Sequence, residues 1–260
     1  MSEVIGSTQN GICRLQLNRP EQLNSLTAQL CAELQDGLVS AATDPAIRCV
    51  LLTGTGKGFC AGQDLAEVGI DSESPRDLGD ILENDINPIV RLMRNLDKPV
   101  LVGVNGVAAG AGANIALAGD IVLAKKSARF IQAFRHVGLI PDAGGTWLLP
   151  RLAGTARALG MALLGEPVSA EQAEQFGLIW KAVDDESFEN VLESMALQLA
   201  SGPTTALGLT KRCLTASGDN NLEVQLKLEK QFQVAASQGE DYAEGVRAFL
   251  QKRRPEFSGR

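Results

Sequence analysis

Apolar and polar residues alternate between Gly11 and Leu17, where Cys13, Leu15 and Leu17 are separated by Arg14 and Gln16. That period of two predicts a strand. Asn18-Arg19-Pro20-Glu21 breaks it. Leu26, Leu30, Leu34 and Leu38 then recur four apart, and this spacing predicts a helix over 27–42 that stops at Asp44-Pro45. The short apolar run from Arg48 to Thr53 reads as a second strand. A polar stretch over 71–79 leads to a predicted helix over 81–95. Lys98-Pro99 opens a strand from Val100 to Val104, and another is expected from Asp120 to Ala124, after a helix over 115–119. Strands alternating with helices predict an α/β layer fold with buried strands. Beyond Gly144 the pattern is helical. Ser169-Ala170-Glu171-Gln172 has the form of a capping box, and Gly177 that of a helix stop. Leu178 to Val183 reads as a short strand, and 188–253 is helix-rich. Ser201-Gly202-Pro203 interrupts those helices, which places a boundary near 200: a core over 1–200 and a small helical subdomain over 201–260.

Charge and composition narrow the function. The 260 residues carry a formal net charge of −7 with Lys and Arg dispersed, which argues against a nucleic-acid partner. The exception is the run Lys252, Arg253, Arg254, read as a solvated end or a local contact to a small phosphorylated ligand. Five scattered cysteines without a CxxC pair fit a reducing cytoplasm. The opening MSEVIGSTQNG has no secretory pattern, and no apolar run approaches the ~18–20 residues of a membrane span. His, Cys, Asp and Glu show no metal-ligand spacing, so no metal is expected.

Two loops rich in small residues follow predicted strands. One is Gly58-Phe59-Cys60-Ala61-Gly62-Gln63-Asp64-Leu65, the other 105–114, Asn-Gly-Val-Ala-Ala-Gly-Ala-Gly-Ala-Asn. Taken alone, either reads more readily as a tight turn with close packing. Together, on neighbouring strands, they can aim two backbone N–H groups at one oxygen, an oxyanion hole. Neither is a GxGxxG or a GxxxxGK[ST] loop, so bound dinucleotide or ATP has little support. A GxSxG elbow is missing and His136 is the single histidine, which weakens a serine-hydrolase reading. His136 reads as structural or pocket-lining, Cys60 as a small packing residue, Asp120 as a strand or helix cap, and Glu166 and Glu171 as solvent-facing or capping. Asp64 reads as a helix cap or loop anchor, with ligand contact as the alternative.

The order Leu17-Asn18-Arg19-Pro20, Leu23-Asn24-Ser25-Leu26, Phe59 to Leu65, Lys98-Pro99-Val100, Asn105-Gly106, Gly110 to Asp120 and Leu139 to Thr146 resembles the crotonase (enoyl-CoA hydratase/isomerase) superfamily along nearly the whole chain. The resemblance implies a crotonase fold: repeated ββα units with a helical C-terminal region, assembled as trimers or dimers of trimers. It implies an acyl-CoA substrate, whose coenzyme A is part of the substrate, and no further cofactor. It implies backbone N–H groups of Gln63 and Ala111 as the oxyanion hole. It also implies substrate or CoA contacts from Cys60, Ala61, Asp64, Leu65, Asn114 and Phe134, with Lys252 and Phe257 as candidates from a neighbouring subunit.

Family hydratases use two glutamates, at the positions of Asn114 and Phe134. Neither residue can carry a proton, so two-carboxylate hydration is disfavoured. Asp142 lies where several family isomerases keep their acid. On the residues alone it is a helix N-cap before Gly144; with the resemblance it is the catalytic acid and base. Burial among Ile140, Trp147 and Leu148 is expected to raise its pKa. Within the superfamily, Phe59 to Leu65, Val107 to Ala113, Gly138 to Asp142, Gly144 to Pro150 and the end from Ala248 to Gly259 most resemble the isomerases of phenylacetate catabolism, which implies isomerisation of ring-1,2-epoxyphenylacetyl-CoA to oxepin-CoA in aerobic phenylacetate degradation, and also of 3-enoyl- to 2-enoyl-CoA. The alternatives are a fatty-acid-oxidation isomerase, another CoA-ester chemistry with Asp142 as nucleophile, or a non-catalytic CoA- or RNA-binding relative.

Overall fold

The computed structural model describes residues 2–69 and 76–260. The part of the polar stretch over 71–75 lies outside the described residues. After the strands β1 (Val4–Gln9) and β2 (Ile12–Leu17) comes helix α1 (Ala28–Thr43). Its cap is Thr27, whose side chain accepts a hydrogen bond from the Leu30 N–H at 3.0 Å. Leu30, Leu34 and Leu38 are fully buried, as the four-residue spacing demands.

Three consecutive strand pairs then build the platform. They are β3 (Cys49–Gly54) with β4 (Gly58–Cys60), β5 (Val100–Val104) with β6 (Val107–Ala109), and β7 (Ile121–Lys125) with β8 (Arg129–Ile131). The first of each pair joins a six-stranded sheet of order β1-β2-β3-β5-β7-β10, where β10 is Lys181–Val183. The second joins a four-stranded sheet of order β4-β6-β8-β9, where β9 is Val168–Ser169. This is the repeated ββα scheme.

The central strands of the large sheet are buried on both faces, so their sequences are continuously apolar. Val50, Leu52, Val100, Val102 and Val122 face the larger core cluster with α1. Cys49, Leu51, Leu101 and Leu123 face a smaller one with Phe188, Leu192 and Ala196 of a C-terminal helix.

Between β4 and β5 lie the short helices α2 (Leu65–Val68) and α3 (Leu78–Asp80), a π-helical segment Ile81–Ile86, and α4 (Asn87–Asn95). The single helix expected over 81–95 is thus two segments, with Pro88 in the first turn of α4, where its missing N–H is no loss. The helix expected over 115–119 is α5 (Ala111–Leu117), which starts four residues earlier. Downstream are α6 (Gly145–Ala153), α7 (Thr155–Leu164), α8 (Ala170–Phe176), α9 (Phe188–Ala200), α10 (Thr204–Ala216), α11 (Leu222–Ser237) and α12 (Glu240–Leu250). The capping box at Ser169 and Gln172 forms, and Gly177 ends α8 at φ 80°. The strand expected over 178–183 is confined to β10, and the break at 201–203 separates α9 from α10. None of the helices among the described residues is long and apolar enough to cross a membrane.

Two asparagines set the corner where β3 turns into β4. Asn24 donates to the carbonyls of Thr55 at 3.0 Å and Gly58 at 2.9 Å. Asn105 accepts from the Gly54 N–H and donates to Gly56 and Gly58, each at 3.1 Å. Both are buried, and unpaired amides there would be costly. The motif residues Asn24 and Asn105 are therefore structural, and they fix how β4 and β6 present their C-terminal ends.

Candidate active site

The ends of β4 and β6 meet at two glycines. Gly62 has φ 93° and Gly110 φ 51°, a region that residues with a Cβ rarely adopt. A methyl group on Gly62 would stand 2.9 Å from the Ala109 oxygen and 3.5 Å from the Ala111 nitrogen. On Gly110 it would stand 3.8 Å from the Phe134 ring and 4.0 Å from the Gly62 Cα. Gly62, which precedes Gln63, is thereby packed against Gly110 and Ala111. Around Gln63 the N–H groups of Ala61 and Asp64 are held by the Leu23 and Leu26 carbonyls, at 2.9 and 3.0 Å. The N–H of Gln63 itself has no protein acceptor among the described residues. Ala111 is the first residue of α5, whose cap Gly110 supplies no side-chain acceptor. The two sheet-end loops thus meet at the glycines that precede Gln63 and Ala111.

Asp142 sits on the turn before α6, between β8 and that helix. The cap of α6 is Gly144, with no side-chain hydrogen bond, so the N-cap reading of Asp142 is corrected. It is the Asp142 carbonyl that works locally, accepting from the Gly145 N–H at 2.7 Å and from Asn114 Nδ2 at 2.8 Å. The carboxyl oxygen Oδ1 is buried without a partner among the described residues. Burial pushes its pKa up to about 6, opposed only by its own backbone N–H. Of the three residues expected to bury it, Leu148 is buried, but Ile140 is 78% exposed and Trp147 40%.

Asn114 is fully buried on α5 and Phe134 nearly so in the 3₁₀ turn Ala133–Val137. The Asn114 amide is spent within the fold: Nδ2 on Asp142, and Oδ1 on Gln132 Nε2 at 2.8 Å. Gln132 was not foreseen, because a lone glutamine at a strand end gives no signal in a single sequence. Cys60 is buried, with its sulfur packed on Gly112, where a methyl group would approach to 2.6 Å. Burial pushes that thiol up to about 12, which removes it as a nucleophile. Asp64 anchors its loop: it caps α2 through Ala66, pairs with Arg19 at 2.9 Å and accepts from Ser25 Oγ at 3.0 Å. Those contacts hold its carboxyl below the ordinary range against the opposing effect of burial. Ala61 is partly buried, and Leu65 is 55% exposed at the loop's edge. Lys252 and Phe257 lie elsewhere. Phe257 lines a cleft of about 610 Å³ with Tyr242, Val246 and Phe249, a cleft that includes none of Gln63, Ala111 and Asp142. His136 is exposed, with its Nε2 3.4 Å from the Gly165 carbonyl. Asp120 caps β5 through the Val100 N–H, and it also pairs with Lys211 at 2.8 Å, which was not foreseen. Among the described residues no three His, Cys, Asp or Glu side chains are grouped to hold a metal ion.

The family model for enoyl-CoA hydratase/isomerase matches residues 7–260. The chain belongs to the enoyl-CoA hydratase/isomerase family. It is 51% identical, over the whole of both chains, to the 1,2-epoxyphenylacetyl-CoA isomerase of Escherichia coli. It is 45% identical to a probable enoyl-CoA hydratase of Rhodobacter capsulatus, with 96% of this chain and 95% of the relative covered. A putative enoyl-CoA hydratase/isomerase from Mycobacterium abscessus superposes with a TM-score of 0.94 at 37% identity, covering 99% of this chain and all of that one. This family's crotonase fold is the α/β fold described above.

Proposed function

We propose that this enzyme isomerises acyl-CoA thioesters through an enolate, converting ring-1,2-epoxyphenylacetyl-CoA to oxepin-CoA and also moving a 3-enoyl-CoA double bond to the 2-position. The observation that carries this reading is Asp142: one largely buried carboxyl with an unpartnered oxygen, its pKa near 6, where the partner acids of a hydratase are replaced by Asn114 and Phe134. The 51% identity to an isomerase of that epoxide supports the aromatic substrate.

In the double-bond shift, the Asp142 carboxylate takes a proton from the carbon beside the thioester. The C–H electron pair moves into the thioester, and the oxygen takes up the charge, facing the N–H groups of Gln63 and Ala111. Each such donor contributes roughly 2.7–4 kcal/mol to transition-state stability. The electrons return through the conjugated system, and Asp142 delivers its proton to the far carbon. Ring expansion of the epoxide also leaves the composition unchanged, so each proton removed is balanced by one returned. No cofactor enters this reading, because coenzyme A arrives with the substrate.

In the same reading Ala61, Leu65 and the backbone of Cys60 and Asp64 contact the CoA portion, and Phe134 lines the acyl side. Lys252 and Phe257 reach a neighbouring subunit's ligand in a homotrimer or dimer of trimers, in the cytoplasm. Residues 201–260 act as a helical subdomain docked on the core. Exposed Phe249, Leu250 and Tyr242 on α12 are the apolar surface such an assembly would cover. The test is turnover by the Asp142→Asn enzyme. Loss of turnover with the fold kept is expected; wild-type turnover would remove Asp142 from the mechanism.

A further inference from the structure

We infer that Asn114 is the positioning residue for Asp142, locked in turn by Gln132, and that behind Asp142 this pair presents neutral amides, so that among the described residues Asp142 is the proton carrier of the site. The inference rests on the catalytic reading of Asp142.

The geometry is a chain of directed hydrogen bonds. Gln132 Nε2 donates to Asn114 Oδ1 at 2.8 Å, and Asn114 Nδ2 donates to the Asp142 carbonyl at 2.8 Å. Gln132 is 1% exposed and Asn114 0%. The direction is fixed from one end. The Asp142 carbonyl can only accept, so Asn114 must present its NH₂ there and its oxygen to Gln132. Gln132 then presents its NH₂ to Asn114, and its own Oε1 is left buried without a partner among the described residues. An orphaned acceptor in a closed interior is unfavourable, so the arrangement is retained against a local cost.

What it holds is a turn that does not hold itself. Ala143 has φ 49° and Gly144 φ 77°, two successive left-handed residues directly after Asp142. A non-glycine residue there is strained. The Asn114 amide also lies so close to Gly145 that a Cβ at that position would collide with it. The main chain of Asp142 is therefore pinned by Asn114 and by the Gly145 N–H. Its carboxyl Oδ1 has no such tether. A fixed backbone with a carboxyl Oδ1 that no neighbouring residue holds suits a group that must collect a proton at one carbon and release it at another. Among the described residues Asp142 makes no ion pair, and the two side chains behind it are neutral amides. A carboxylate at position 114 would change that by placing a like charge behind the turn.

Purified wild type, Asn114→Ala, Asn114→Asp and Asp142→Asn enzymes would be compared in turnover of a straight-chain 3-enoyl-CoA between pH 5 and 9, with thermal melting as the control for folding. Asn114→Ala should lower kcat roughly 10- to 100-fold with KM little changed, since the acid is displaced and the thioester site is not. Asn114→Asp should lower kcat as well, and should move the acid limb of the pH profile to higher pH. A folded Asn114→Asp enzyme with wild-type kcat and an unmoved limb would overturn the positioning role. So would loss of fold in both Asn114 variants, which would make Asn114 a packing residue only. Wild-type turnover by Asp142→Asn would overturn the catalytic reading itself, an outcome distinct from the other two.

Discussion

The carboxyl of Asp142 is largely buried with one oxygen unpaired, so the fold disfavours its ionised form and raises its pKa from 3.8 to about 6. Two consequences have opposite signs. As the proposed base, Asp142 must be ionised, so kcat/KM should fall as pH drops through about 6. A pH–rate profile of the free enzyme checks this. For stability, the raised pKa means that the folded state binds this proton more tightly than the unfolded chain. The stabilisation is present below pH 3.8 and is lost as pH rises through about 6. Above that range the ionised group costs on the order of 2–3 kcal/mol. Asp142→Asn should therefore melt higher than wild type at pH 8 and gain much less at pH 4, while turnover falls roughly 10²- to 10⁴-fold. At this scale the motifs single out Asp142, Gln63 and Ala111 as candidates, and the structure shows Asp142 largely buried and Ala111 at the start of α5; about Gln132 the sequence is silent. It was misleading about Ile140, because an apolar residue beside an acid need not bury it; here the side chain stands in solvent.

The elements around the site depend on small residues more than on propensity. Cys60 on β4 and Gly112 on α5 touch so closely that a methyl group on Gly112 would overlap both the Cys60 sulfur and its carbonyl. Gly112→Ala should separate β4 from α5, costing roughly 1–3 kcal/mol of stability. It should also reduce turnover by moving the Ala111 N–H away from Gln63. Urea unfolding and kcat measured together check the pair of effects, and an unchanged kcat would show that the two loops tolerate separation. This contact also explains where the sequence reading fell short. The run from Gly110 to Ala113, all glycine and alanine, carries no helical period, yet Gly110 caps α5 and Ala111 begins it, and small residues are what that close contact requires. The four-stranded sheet was invisible to periodicity because its strands span only two or three residues. Only the family motifs implied it. By contrast α1 and β5, long enough for Leu30, Leu34, Leu38 and the valines of 100–104 to declare a period, were legible almost to the residue.

Across the whole molecule, the C-terminal helices are fastened to the core by buried polar links that no sequence pattern announces. Lys211 of α10 pairs with Asp120 at 2.8 Å, with side chains only 8% and 19% exposed. Burial lowers the lysine pKa and raises that of the aspartate, each opposed by the charge of the other. Lys211→Met would leave Asp120 charged and unpaired beside the start of β5, and should destabilise the protein by about 3–5 kcal/mol. Adding Asp120→Asn should recover a large part of that loss, and denaturant unfolding of the two proteins measures the difference. Arg48, one residue before β3, reaches the same region, donating to Thr204 Oγ1 at 3.0 Å and to the Phe257 carbonyl at 2.9 Å. The break at 201–203 was legible from its composition. The contacts that tie 204–260 back to the sheet join residues more than 90 positions apart, and only the folded chain reveals them. The proposed trimer or dimer of trimers belongs to this scale, and sedimentation of wild type against Phe249→Glu should show the assembly dissociating in the variant.

The most direct measurement is turnover of ring-1,2-epoxyphenylacetyl-CoA by wild type and by Asp142→Asn, with the product identified by absorbance and mass spectrometry and a 3-enoyl-CoA run in parallel. Wild type should form oxepin-CoA and 2-enoyl-CoA, and a folded Asp142→Asn enzyme should form neither at an appreciable rate. Wild-type rates from Asp142→Asn, or a wild-type enzyme inert toward both thioesters, would contradict the proposed mechanism.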